Sequence, residues 1–141
     1  MDQSFVRCLI SREVDIYVAV SHGRNMATAL GFNAIDRTRI EIVILELTRN
    51  LLAHASGGTL LITVVQKTAQ QGICIEAIDQ GPGIENIELA MRDGYSTKHT
   101  LGAGLPSVRR LMDEFAIEST VGKGTRVKAT KWLPMPRGGR K

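Results

Sequence analysis

The apolar run Ile73-Cys-Ile75-Glu-Ala77-Ile78 stops at a carboxylate and two spaced glycines, Asp79-Gln-Gly81-Pro-Gly83. The alternating run reads as a buried strand. Whatever this chain folds into must therefore end a central strand in a glycine loop. An acceptor-only carboxylate at that point suits the exocyclic amine of adenine, a donor that guanine lacks there. Gly81 and Gly83 leave the backbone free to approach a flat ring. Two more patterns flank it. Glu46-Leu-Thr-Arg-Asn50 puts a carboxylate and a carboxamide four residues apart, on one face of a helix. Gly102-Ala-Gly104 opens an amphipathic stretch with Pro106 in its first turn, where a missing N–H costs nothing. Each pattern alone is common: Asp and Gly mark turns everywhere, and an i, i+4 polar pair is usually a solvated stripe. In this order they spell a nucleotide pocket that is neither a P-loop nor a protein-kinase loop, since neither signature set is present.

The elements around these patterns predict an α+β domain. Phe5–Ile10 reads as a first strand. Asp15 is expected to cap a helix that runs to Leu30 and stops at Gly31. Asp36 is expected to cap a second helix, with Ile40, Val43, Ile44, Leu47, Leu51 and Leu52 on its inner face and Gly57-Gly58 at its end. Thr59–Lys67 and Ile73–Asp79 read as strands joined by a turn at Gln70-Gln-Gly72. A short helix, Asn86–Met91, and a third long helix, Leu105–Phe115, follow. Ala116–Val121 and Thr125–Leu133 form a hairpin around Gly122-Lys-Gly124. Long helices on one face of a mostly antiparallel sheet make a two-layer α/β sandwich. The body is expected to span residues 1–133, and the basic tail 134–141 to be flexible.

Charge and cysteine content narrow the partners. The formal charge is +4, but Arg137, Arg140 and Lys141 sit in the tail, and without them the body carries +1. Such a body, poor in aromatics, offers no nucleic-acid face. No apolar run is long enough to span a bilayer and no leader pattern is visible, so a cytoplasmic protein is expected. Cys8 and Cys74 fall in apolar strand-like runs and read as reduced core residues, with no ligand spacing around them.

These boxes resemble the GHKL (Bergerat) ATPase fold shared by gyrase, MutL and histidine kinases. Glu46–Asn50 looks like its N box, Asp79–Gly83 and Gly102–Gly104 like its first two glycine boxes, and Gly122-Lys-Gly124-Thr125 like its last. The stretches Asp79-Gln-Gly-Pro-Gly-Ile84, Gly102-Ala-Gly-Leu-Pro106 and Arg110-Leu-Met-Asp-Glu-Phe115 are similar to the small anti-sigma-type serine/threonine kinases of bacterial partner switching, in particular the stressosome switch kinases. The resemblance spans about residues 5–133 and implies ATP and Mg²⁺ as ligands. Glu46 would be the general base, accepting a proton from a protein hydroxyl. Asn50 would offer a neutral oxygen to Mg²⁺. Asp79 would hold adenine, with Thr125 adding a hydroxyl directly or through water. Gly102, Ala103, Gly104 and Leu105 would meet the phosphates at a helix start. Residues 92–101 look like the ATP lid, from which Thr97 and Lys98 would reach phosphate; Lys98 reads also as plain loop. Arg49 would reach phosphate, a partner or only solvent, and His54 would stand on the rim.

The resemblance implies a kinase that phosphorylates STAS-domain scaffold or antagonist proteins of the stressosome. Once released, it would bind and activate a phosphatase through that partner's regulatory domain. The alternative is an anti-sigma-like binding protein for which ATP is a conformational ligand. A histidine-kinase reading is disfavoured, because no helix with a phosphoacceptor histidine precedes the domain.

Overall fold

The computed structural model describes residues 5–92 and 104–135. Five strands form one sheet: β1 (Phe5–Ile10), β2 (Gly58–Lys67), β3 (Gln70–Asp79), β4 (Glu114–Thr120) and β5 (Gly124–Trp132). Their spatial order is β1-β2-β3-β5-β4, and every pairing is antiparallel. Two long helices, α1 (Glu13–Leu30) and α2 (Ala34–Ala55), pack on one face, with the short α3 (Ile87–Ala90) and α4 (Leu105–Leu111) near one end of the sheet. This is the expected two-layer sandwich.

The core lies between layers. Ile40, Val43, Ile44 and Leu47 of α2 recur at helical spacing and are buried against Leu60 and Ile62 of β2 and Ile73 and Ile75 of β3. Truncating one such side chain to Ala costs about 2–5 kcal/mol. Gly23 lets α1 approach α2, since a Cβ there would run into the Ile44 side chain.

Several boundaries differ from the sequence expectation, each for a local reason. Asp15 is not the cap of α1 but its third helical residue. Its Oδ2 accepts from the backbone N–H groups of Ser11 and Arg12, both at 2.9 Å, and these bonds hold its carboxyl below the usual range. Asp36 likewise sits in the first turn of α2. The cap is Asn33, whose Oδ1 accepts from Asp36 N at 2.8 Å, so α2 starts earlier. Gly31 ends α1 in the left-handed region, as expected. The β2–β3 hairpin is tighter than expected: Lys67 pairs with Gln70, and the turn is Thr68-Ala69.

The third helix is not long. It stops at Leu111, and the chain turns through Met112-Asp113 into β4, which takes Glu114 and Phe115. The corner is pinned by Lys131 of β5, which is 8% exposed. Its Nζ donates to Leu111 O at 3.0 Å and lies 3.8 Å from Asp36 and 3.7 Å from Asp113. This cluster ties α4 to the start of α2. Cys8 and Cys74 are buried free thiols, and burial raises both above the ordinary thiol range.

Candidate functional site

One cavity of about 340 Å³ opens between α2 and the end of the sheet, within the size range of small-molecule sites. Leu47, Asn50, Leu51 and His54 of α2 form one wall. Ala77, Asp79, Thr125 and Val127 form the sheet side. The Pro82–Ile84 loop, Ala90, Arg92 and the first residues of α4 close the rest. An apolar slot with few polar groups at its end is what a flat aromatic ring requires.

Asp79 stands at the last position of β3, directly across the ladder from Thr125 of β5. Its Oδ1 accepts from Gly81 N at 2.8 Å, which closes the turn leaving the strand. Its Oδ2 makes no hydrogen bond among the described residues. The two glycines after it serve different purposes. Gly83 has φ +83°, and a Cβ there would stand 2.5 Å from Thr120 O, so both conformation and space demand glycine. Gly81 does not line the cavity. A Cβ there would meet Ala55 Cβ at 2.7 Å, so its bareness serves the end of α2.

Across the cavity, Asn50 presents its carboxamide from α2. One turn earlier, Glu46 is 5% exposed and lies behind the wall. Burial pushes its carboxyl above the ordinary range, while the nearby Arg49 charge and the Gly104 N–H pull the other way. Gly104 caps α4 with φ +60° and faces open space. Its N–H is directed to Glu46, so a phosphate at Gly104 must compete with that carboxylate. Leu105 and Pro106 line the same end of the cavity. Arg49 does not line the cavity: its guanidinium lies 3.5 Å from Tyr17 Oη and 3.9 Å from Glu13 on α1. His54 is exposed on the rim. Thr97, Lys98, Gly102 and Ala103 lie outside the described residues.

The donor set bears on the implied metal. Among the described residues no group of three His, Cys, Asp or Glu could hold an ion. A single carboxamide oxygen in the wall fits Mg²⁺, which keeps several waters and takes other ligands from phosphates.

Sequence reasoning missed Ser119. It faces Thr125 across the β4–β5 ladder, so Asp79, Thr125 and Ser119 form a row over three strands. Ser119 Oγ lies 2.8 Å from Thr125 Oγ1 and accepts from Ile84 N at 2.7 Å. A signal was present: counting back from the hairpin at Gly122 puts Ser119 opposite Thr125, on the face of Phe115 and Ile117.

Residues 35–137 match the family described as "Histidine kinase-, DNA gyrase B-, and HSP90-like ATPase". The serine/threonine-protein kinase RsbT of Bacillus subtilis is 49% identical over 132 residues, covering 94% of this chain and 98% of that one. An anti-sigma F factor of Caldanaerobacter subterraneus is 36% identical over 98 residues, covering 67% of this chain and 68% of that one. Among solved structures, the RsbU and RsbW domains of Rv1364c from Mycobacterium tuberculosis superpose with a TM-score of 0.63 at 15% identity. That match covers 93% of this chain and 33% of the other, and it bears on the fold alone.

Proposed function

The chain belongs to the histidine kinase-, DNA gyrase B- and HSP90-like ATPase family and is a serine/threonine protein kinase, and from that premise we propose how its site works and on what it acts. Adenine enters the slot between α2 and the sheet, with its amine on the Oδ2 of Asp79. Asn50 contributes an oxygen to Mg²⁺. Bound there, the ion supplies charge neutralisation on the phosphate oxygens. Glu46 accepts the proton of the attacking hydroxyl. Its burial suits the role, because a carboxyl raised toward neutral pH is a stronger base than an exposed one. Thr97, Lys98, Gly102 and Ala103 complete the phosphate end.

The acceptor is a serine or threonine on a STAS-domain scaffold or antagonist of a stressosome. A folded partner can present one fixed hydroxyl at the pocket mouth, near α4, within about 3–3.5 Å of the phosphorus. After release the same kinase binds the regulatory domain of a phosphatase and activates it, in the cytoplasm. No helix of the described residues is long and apolar enough to cross a membrane.

The observation that carries this reading is Asn50 in the cavity wall across from Asp79, with Glu46 buried one turn earlier on α2, in a chain 49% identical to RsbT. The test is incubation with Mg-ATP and STAS-domain proteins, followed by mapping of phosphate by mass spectrometry. Phosphate on one serine or threonine of a partner supports it. ATP binding without transfer to any STAS protein supports the second reading, a binding protein with ATP as conformational ligand, which the similarity to anti-sigma F factors favours.

A further inference from the structure

We infer that Ser119 is a positioning residue for base recognition, locking the Thr125 hydroxyl and the Gly83–Ile84 turn into one rigid wall beside Asp79. The inference rests on the nucleotide reading of the cavity. Three partners converge on one oxygen. Ser119 Oγ accepts from Ile84 N at 2.7 Å, shares a hydrogen bond with Thr125 Oγ1 at 2.8 Å, and lies 3.2 Å from the Gly124 carbonyl, to which only its proton can go. A hydroxyl has one proton and two lone pairs, so these contacts use its full capacity. Ser119 has nothing left for a ligand and does not line the cavity, whereas Thr125, Gly83 and Ile84 do. It therefore acts through them.

The row across the sheet explains why this matters for specificity. Asp79 and Thr125 are register partners at the sheet end, and Ser119 is the register partner of Thr125 on the far side. Threonine alone could turn its hydroxyl between rotamers, whereas the bond to Ser119 holds the oxygen in one place. The same oxygen anchors the backbone at Ile84, directly after Gly83, whose left-handed backbone approaches Thr120 closely. Base-edge discrimination needs donors and acceptors fixed within tenths of an ångström, and a supporting hydroxyl behind the contact residue provides that.

The test compares Ser119→Ala and Ser119→Thr with the unaltered chain, measuring Kd for Mg-ATP and for the triphosphate of purine riboside, which lacks the 6-amino group. Ser119→Ala should weaken ATP by about fivefold, the value of one neutral hydrogen bond. It should weaken the analogue without the 6-amino group less, so that the preference between the two shrinks. Ser119→Thr keeps the hydroxyl and should restore the preference. Equal loss for both nucleotides would make Ser119 merely structural and overturn the inference, as would no loss at all. Asp79→Asn is run in parallel: if it too leaves ATP binding intact, the nucleotide reading has failed rather than the role of Ser119.

Discussion

Asp79→Asn tests the adenine assignment with the smallest possible change in shape. In the folded chain one carboxylate oxygen is already committed, because Oδ1 accepts from Gly81 N at 2.8 Å. The asparagine must keep its carbonyl oxygen there, since the opposite rotamer would set an NH₂ against the Gly81 N–H. The amide NH₂ is then forced into the position of Oδ2, facing the cavity. Adenine's amine would meet a donor where it now meets an acceptor. A hydrogen bond to a charged group contributes about 1.5–3 kcal/mol, and each 1.4 kcal/mol is tenfold in affinity. Affinity for ATP should therefore fall by about 10- to 150-fold. The turn bond to Gly81 survives, so stability should change by less than about 1 kcal/mol. Calorimetric titration with ATP at fixed magnesium, alongside a denaturant melt, measures both. A folded variant that binds ATP as tightly as the parent would refute the placement of adenine against Asp79. A variant that loses binding only because it unfolds would show that the turn, and not the ligand, depends on this carboxylate.

Glu46→Gln should keep ATP binding and slow phosphotransfer by about 10²–10⁴-fold, the usual loss with a general base; an unchanged single-turnover rate would remove Glu46 from that role. Because burial raises its pKa, the base is lost by protonation as pH falls through a value above 4.5, so transfer should decline at higher pH than for an ordinary carboxylate, and Glu46→Gln should abolish that limb of the profile. The direction for stability is the opposite: a group that binds its proton more tightly when folded favours the fold at low pH and loses that contribution as pH rises through the raised value. Asn50→Ala should weaken Mg-ATP far more than magnesium-free ATP, and equal losses in the two titrations would make Asn50 a structural residue. Gly83→Ala should cost about 2 kcal/mol or more, read as a lower denaturant midpoint, because the left-handed backbone and the Thr120 carbonyl both oppose a Cβ.

Local chemistry made much of this protein legible in its sequence. Alternation placed β1 at Phe5–Ile10, and helical spacing identified the buried face of α2, since burial of a repeating apolar stripe is what creates either element. The carboxylate-glycine box announced its own turn, because Asp79 and Gly81 bond to each other within two residues. Caps were less secure. Asn33 and Asp36 are both good capping types three residues apart, and which one closes the helix depends on where the chain leaves α1. The length of α4 was misjudged for a tertiary reason: β5 draws residues from Glu114 onward into the sheet and overrides their helical spacing.

The site itself divides in the same way. The sequence alone singled out Glu46, Asn50 and Asp79 as candidates, because their types and spacing suit nucleotide chemistry, and the family resemblance added Thr125. Only the tertiary structure decided that Gly81 packs on the end of α2, that Arg49 turns to α1, that Glu46 lies buried behind Gly104, and that Thr125, backed by Ser119 in the local hairpin, stands beside Asp79. Each of these depends on β5 entering the sheet between β3 and β4 or on α2 packing across it. The contacts of Gly81, Arg49, Glu46 and Asp79 join residues distant in sequence, and a non-local pairing is fixed by the burial of the whole core, not by the residues that meet there.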